Sequence, residues 1–589
     1  MATVSSTNTS SAASSTSAGY ATYTSGFNAT ELAQIGYEGR LAKADSLSTK
    51  VTANQTKISA YQNLQSLLQS VQSPLKALRN SVKATGSASD AFLSRSIALA
   101  SSDSTAANSY LGATVAYGTT LGSHDIVVNQ VAKVERLGSI SEVASASSAL
   151  SLSGTFTLGT ASAEDGSGAT SAVISISSSM TLADIAGAIN VSQSATGVIA
   201  SVVQTSDSKY MLVLTGATTD RTLSLTPGGG PDVLQSLGIT SDGSGTKADV
   251  LQSAQPAKLT IDGVTVTRST NTITDAIKGV TLSLYKPSVA TAYSTTTSGG
   301  STTTSASVTS TTLSLDVTND TSTVENDINA FVSAYNSLRD FVLTNQSLST
   351  SGTTASDSAV LFGDSILRSV TSSVQSILSS EVNGLSLGKL GISFDVNNYL
   401  QIKTATLENA LDNSFDSVQA LFSYQATSSS GNLQLLSHND TLTSATLNFD
   451  LTVDGSGKLS GVSCNGDSSL FTVDGGSIKG AVGSIYEGMA FVFVGNTNQS
   501  ITVNLSSGIA ERLYSTISEF ADSTSGQIAN AVSSLTSQDN DLSSRITAIQ
   551  SDAEAYRQFL LTKYSNIAAK LATAQTTLAL LAALSKTSN

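Results

Sequence analysis

Apolar positions along this chain follow two rhythms. Ala44, Leu47, Val51, Asn54, Ile58 and Tyr61 recur at alternating steps of three and four, which predicts a helix with one apolar seam of coiled-coil type. The seam resumes as Leu64, Leu68, Val71, Leu75 and Leu78 after a one-residue slip, and Ser73 ahead of Pro74 predicts a capped restart with a kink near 73. Near the other end Leu535, Leu542, Ile549 and Tyr556 lie seven apart, interleaved with Ile546, Ala553, Leu560, Ile567, Ala574 and Leu581. Lys563 and Lys570 break the first row, so the last turns form a weaker coil. A pair of core helices in a globular domain is the plain alternative; segments this long and polar favour a stalk built from both chain ends, or a bundle with sister chains.

Between the seams the period falls to two. "TVAYGTTLGSHDIVVNQVA" (114 to 132), "GTFTLGT" and "VIASVVQTSDSKYMLVLTG" (198 to 216) alternate apolar and polar residues between Gly, Ser and Asp turns, which predicts short antiparallel strands. "SMTLADIAGAIN" (179 to 190) interrupts them with a helical pattern at Leu182, Ile185 and Ile189, capped by Thr181 ahead of Asp184. In 261 to 284, Asp262-Gly263 supplies a two-residue hairpin turn, Asn271 to Ile277 reads as a single helical turn ended by Gly279, and "VTLSL" leads out. Residues 288 to 312, low-complexity Ser and Thr, read as a flexible linker or long surface loop. Helical spacing returns in Val324, Ile328, Phe331, Tyr335, Leu338 and Phe341, and again in Ile366, Val370, Val374 and Ile377. A β-rich block over 431 to 505 contains "MAFVFVG" and the hairpin-like "FTVDGGSIKG".

The 589 residues are too many for one core, so several domains are expected. Charged residues make up 12% of the chain, about half the usual share of roughly 25%. A formal net charge of −14 argues against nucleic acid, whose phosphates need dense Lys and Arg. The first 26 residues lack a basic segment followed by an apolar one, so no Sec signal peptide is expected there. With "LALLAAL" the richest run, no membrane insertion is expected either.

Candidate chemistry is sparse. The single cysteine, Cys464, cannot form an internal disulfide, and no His stands beside it in sequence. His124 and His438 read as polar turn residues. Gly228 to Gly230 lack the Lys-Ser/Thr of a phosphate loop, "DGSGKLSG" (454 to 461) fails the same spacing, and "SQDNDLSS" (537 to 544) lacks the ligand alternation of a calcium loop. The expectation is therefore no catalytic residue, no metal site and no cofactor.

"KISAYQNLQSLLQSVQSPLKAL", "GSHDIVVNQVAKVERLGS", "TLADIAGAINVSQSATGVIASVVQ", the stretch 261 to 284, "INAFVSAYNSL", "LFGDSILRSV", "SLGKLGISFDVNNYLQI", "VQALF" and "GIAERLYSTISEFADSTSGQI" follow one another in a familiar order. In that order they resemble the flagellar filament capping protein family (flagellar hook-associated protein 2, FliD) over most of residues 27 to 585. The resemblance implies an α+β multidomain protein: terminal helices forming an antiparallel coiled-coil or helical-bundle stalk, with inserted antiparallel β-rich head domains. The expected division is a flexible segment over 1–45 that joins 560–589 as a terminal docking region; a stalk of 46–84, 313–430 and 506–560; one head of 85–140 with 250–300; a second head of 141–249; and an added β block of 431–505. The implied partners are further copies of the chain in a pentamer-like ring of open stoichiometry, flagellin, an export chaperone and the flagellar type III export apparatus. The implied place is the extracellular distal tip of the filament. Leu47, Val51, Ile58, Leu542, Ile546, Ile549, Tyr556, Leu560 and Ile567 are the expected docking residues. A filament structural protein or surface-binding tip adhesin is the alternative.

Overall fold

A computed structural model describes residues 28–79, 90–298, 301–439 and 444–587. Two compact units divide the chain. One takes the chain up to Ser70, then Ser337–Ser373 and Thr516 onward; the other takes Val71–Asn336 and Val374–Ser515. The architecture is mixed α+β, with long terminal helices and antiparallel sheets.

The N-terminal helix, Ala29–Leu78, belongs to the first unit as far as Ser70, and there it runs against the C-terminal helix, Gln527–Thr587, in the opposite direction. Their polar contacts fix that sense: Arg40 meets Asp552, Asn54 meets Asp539, and Gln65 and Gln69 both donate to the Ala521 carbonyl just before the second helix begins. Two sequence expectations fail on the N-terminal helix. Residues 29–45, expected to be flexible, are helical; residues 1–27 of that segment lie outside the described residues. The restart at Ser73 is also absent, since the helix continues through Pro74 to Leu78. Val71, Leu75 and Leu78 are completely buried, and their packing outweighs the one backbone hydrogen bond a proline removes this close to a helix end.

In the second unit the β segments close three separate cores. The first lies between a five-stranded sheet, ordered Arg95–Ser101, Leu313–Asn319, Gly122–Gln130, Ala257–Ile261, Val264–Arg268, and a three-stranded one, Thr272–Ile277, Val280–Leu284, Leu111–Val115. Ile126, Val128, Leu259, Leu282, Leu313 and Leu315 fill it. Asp262 and Gly263, at φ 52° and 83°, turn the predicted hairpin. The helical turn expected over Asn271 to Ile277 is instead a bulged strand, Thr272–Ile277. Its β-branched residues favour a pleated surface, and Asn271 caps no helix: its side chain accepts from Ala132 N (2.7 Å) and donates to Ala132 O (2.9 Å), fastening the strand's start to the neighbouring chain.

The second core belongs to an insertion that the chain enters and leaves side by side, at the bridge between Lys133 and Gln255. Glu135, nearly fully buried, accepts from Lys247 Nζ at 2.8 and 2.7 Å and from the Leu223 amide, tying entry to exit. The helix Leu182–Val191 buries Leu182, Ile185 and Ile189 here, with Thr181 and Asp184 forming the predicted capping box. The third core joins the sheets built on Ser444–Val453 and Ala490–Phe493, where Phe449, Phe471 and Phe491 meet edge to face at 5.0 to 6.0 Å. "FTVDGGSIKG" is the expected hairpin, turning at Gly475 and Gly476.

A fourth expectation fails at 288 to 312. Val289–Ser298 pairs with Ser301–Ser310 in an antiparallel two-stranded ribbon rooted on the first core. Ser and Thr dominate this stretch and leave too little apolar alternation to read, yet Thr is a strong strand former once a partner strand supplies the hydrogen bonds.

Candidate functional site

The chain-end helix pair combines a regular seam with incomplete burial. Asn54 occupies a seam position where an apolar residue is the rule; its Nδ2 donates to Asp539 Oδ1 at 2.8 Å, and Asp539 is itself only 8% exposed. A polar pair inside a seam fixes register, because any slip leaves both groups unpaired. Farther toward the chain termini, a Cβ at Gly36 would overlap Leu560 Cδ1, so the glycine lets the two helices approach. Two cation–ring contacts flank it in opposite directions: the Arg40 guanidinium sits 3.9 Å from the Tyr556 ring centre, and that of Arg557 sits 5.9 Å from the ring of Tyr37. Arg557 is anchored by Glu554 at 2.9 and 2.8 Å, and these hydrogen bonds hold the Glu554 carboxyl down to about 2. At the other end of the unit Tyr61 Oη donates to Asp364 Oδ2 at 2.6 Å, and Lys57 Nζ lies 3.0 Å from the same oxygen. Burial acts to raise the Asp364 carboxyl, but these partners outweigh it and hold the group below its usual range.

The nine residues expected to dock divide by depth. Leu47, Val51, Ile58, Leu542, Ile546, Ile549 and Tyr556 are half-buried along the seam. Leu560 is buried, beneath Gly36, and Ile567 is 40% exposed. Past Leu560 the C-terminal helix keeps its apolar residues in solvent: Leu571, Leu578, Leu580, Leu581 and Leu584 are all exposed. This helix also contains an 18-residue window of mean hydropathy 1.5 with at most two charged residues, none of it buried. By length and composition alone it is apolar enough to cross a membrane, which corrects the expectation that no such stretch exists; the alanines around the leucines raise the average. Gly36, Arg40, Tyr37 and Arg557 are not singled out from sequence, and Asp539 enters there only within 537 to 544, weighed as a calcium loop. The only signal was Gly36 itself, a glycine inside a helical pattern.

The chemistry candidates resolve into structural roles. His124 lies in the strand Gly122–Gln130 rather than a turn; its Nδ1 is 2.7 Å from Asp262 Oδ2, while the Asp125 amide donates to Asp262 Oδ1 at 2.9 Å. The His124 hydrogen bond holds the Asp262 carboxyl below its usual range and fastens the hairpin turn to its neighbour. His438 stacks on Tyr424, centroids 4.0 Å apart. Cys464 is completely buried, which pushes its thiol up to about 11. At Gly228 to Gly230 the amides of Gly228 and Gly229 donate to Thr155 O and Oγ1, at 2.9 and 3.0 Å, so they do not point at an anion. Asp454 closes its own turn by accepting from the Ser456 and Lys458 amides. Residues 537 to 544 are inside the C-terminal helix. Among the described residues no group of three or more His, Cys, Asp and Glu is placed to hold a metal ion.

Two family models match this chain: flagellar hook-associated protein 2 N-terminus over residues 25–135, and flagellar hook-associated protein 2 C-terminus over residues 254–575. A flagellar hook-associated protein 2 of Salmonella typhimurium is 28% identical over 34% of this chain and 39% of its own length. One from Aeromonas caviae is 24% identical over 52% of this chain and 61% of its own. The chain thus spans less than two thirds of the length of either curated relative. Among solved structures, the D1-D2-D3 domains of the flagellar cap protein from Escherichia coli are 28% identical, covering 62% of this chain and 90% of that one, with a TM-score of 0.43.

Proposed function

We propose, from the premise that this chain belongs to the flagellar hook-associated protein 2 family, that it works as a filament cap: a homo-oligomeric assembly protein at the distal tip that guides flagellin into place and keeps monomer from leaking away. The observation that carries this reading is the chain-end helix pair, whose seam is half-buried and whose last turns present Leu571, Leu578, Leu581 and Leu584 to solvent. Apolar stripes of this kind bind other helices by laying their faces together. Leu47, Val51, Ile58, Leu542, Ile546, Ile549, Tyr556, Leu560 and Ile567 are the proposed contact row with sister copies and filament subunits. In the same reading the chain leaves the cell through the flagellar type III apparatus, escorted by an export chaperone that covers the apolar helix until assembly.

Removing residues 535–589 tests the proposal. The truncated chain is expected to keep its three β cores folded, while cells carrying it secrete flagellin into the medium and build no filaments. Full-length filaments with no flagellin leak would overturn the reading. Normal filaments in a deletion strain, with saturable binding of the full chain to surface glycans, would favour the adhesin alternative.

A further inference from the structure

Resting on the reading of this chain as a self-assembling cap, we infer that the Ser/Thr ribbon Val289–Ser298 and Ser301–Ser310 is a strand-addition surface through which one copy of this chain pairs edge to edge with the next. The ribbon is anchored at its root: Ser288 donates its amide to Val128 O (2.7 Å), accepts from Val128 N on its hydroxyl (3.0 Å), and receives the Thr311 amide (2.8 Å). From there the pairs Val289↔Ser310 to Thr295↔Thr304 run in unbroken register, without the bulge that interrupts several other pairings in this molecule. Ala290, Thr291, Ala292, Ser294 and Thr295 are exposed on one strand, and Thr304 to Ser310 on the other, so both faces stand in solvent. The ribbon is a sheet of two strands, so each has an outer edge without a strand partner.

A solvated two-stranded ribbon of this length is marginal on its own, and natural edge strands are guarded by charge, proline or bulges. This one has no such guard over its seven described root pairs. The missing guard also selects the occupant. Each copy carries a formal net charge of −14, so like copies repel over most approaches, but no charged residue lies between Lys286 and Asp316, the longest uncharged run among the described residues. Copies of this chain can therefore meet along the ribbon without like-charge contact.

The two edges are not equivalent. Copies arranged around a ring point their ribbons the same way, and the outer edge of Ser301–Ser310 then meets the outer edge of the next copy's Val289–Ser298 antiparallel. Only closure of the ring leaves no edge unpaired.

The full chain tests this directly. Light scattering establishes whether it assembles. Hydrogen exchange above and below the assembly concentration should then show at least tenfold more protection for the amides of Ala290–Thr295 and Thr304–Thr309 in the assembled form. A Thr291→Cys chain co-assembled with a Ser307→Cys chain should cross-link through a short bis-maleimide, while neither does so alone; Cys464 is completely buried and adds no background. The double variant Ser305→Lys/Ser307→Lys should weaken assembly at least tenfold and leave unfolding of the β cores unchanged. Assembly with unchanged ribbon exchange overturns the inference and spares the cap reading. Cross-linking within one cysteine variant alone overturns the head-to-tail pairing. Protection that appears only when flagellin is added assigns the edge to flagellin instead, and a chain that never assembles removes the inference together with the reading it rests on.

Discussion

The helical stalk and the β cores are written in equally regular patterns, yet they bury them to different depths. In the third β core Leu447, Phe449, Phe491 and Cys464 are all completely buried, and the strand Ser444–Val453 alternates inside and outside residue by residue. In the helix pair, Ala44, Leu64, Leu68 and Ala553 are buried, but Leu47, Val51, Leu542, Ile546 and Ile549 keep the same strictness of spacing and remain half-exposed. Two helices can shield only part of each other's apolar stripe, whereas two sheets facing one another enclose theirs. A half-open seam leaves apolar area in solvent, which is what the proposed contact row requires, and a closed core leaves none.

The largest effect expected from this contrast is inside a closed core. Phe449→Ala should cost about 3–5 kcal/mol in chemical denaturation, because the ring contacts to Phe471 and Phe491 disappear and a cavity is left. A loss under about 1 kcal/mol would mean that this core is not closed.

In the stalk the tightest point is Gly36. Gly36→Val should push Leu560 away and cost about 1–3 kcal/mol, read as earlier thermal loss of helical signal. Unchanged melting would mean the helices do not approach there.

An intermediate, pH-dependent effect is expected at Asp90. Burial raises its carboxyl to about 6, although its Oδ1 accepts from the Phe92 amide and Arg95 lies nearby; Oδ2 has no hydrogen-bond partner among the described residues. A carboxyl with a raised folded value favours the folded state below its unfolded value near 3.9, and that contribution is lost as pH rises through about 6. Asp90→Asn keeps the acceptor for Phe92 and removes the titration, so it should be more stable than the parent by about 2–3 kcal/mol at pH 7 and nearly equal to it at pH 4. A difference that does not change across this window would show that Asp90 does not titrate as described.

The smallest effect on folding belongs to the open end of the seam. Ile567→Ser should change unfolding by less than about 0.5 kcal/mol, since the side chain is already 40% exposed, while impairing flagellin retention in cells. Equal loss of folding and retention would erase the distinction between closed core and open seam.

Much of this was legible in the amino-acid order. The two seams, the capping box at Thr181 and Asp184, and the hairpin turns at Asp262-Gly263 and Gly475-Gly476 are local signals, set by helix or turn geometry within a few residues. So was the kinship, which rests on many short segments in a fixed order. Of the features that were not legible, three share one reason. The ribbon at 289–310, the strand at 272–277 and the unbroken helix through Pro74 each depend on a neighbour distant in sequence or on packing of the whole unit: a partner strand, the backbone of Ala132, and the buried surroundings of Val71, Leu75 and Leu78. The sequence by itself determined where helices and turns start and which residues form the apolar stripes. Only the tertiary structure decided which stripes are closed and which stay open, because closure depends on how many other surfaces reach a stripe, and no local pattern records that.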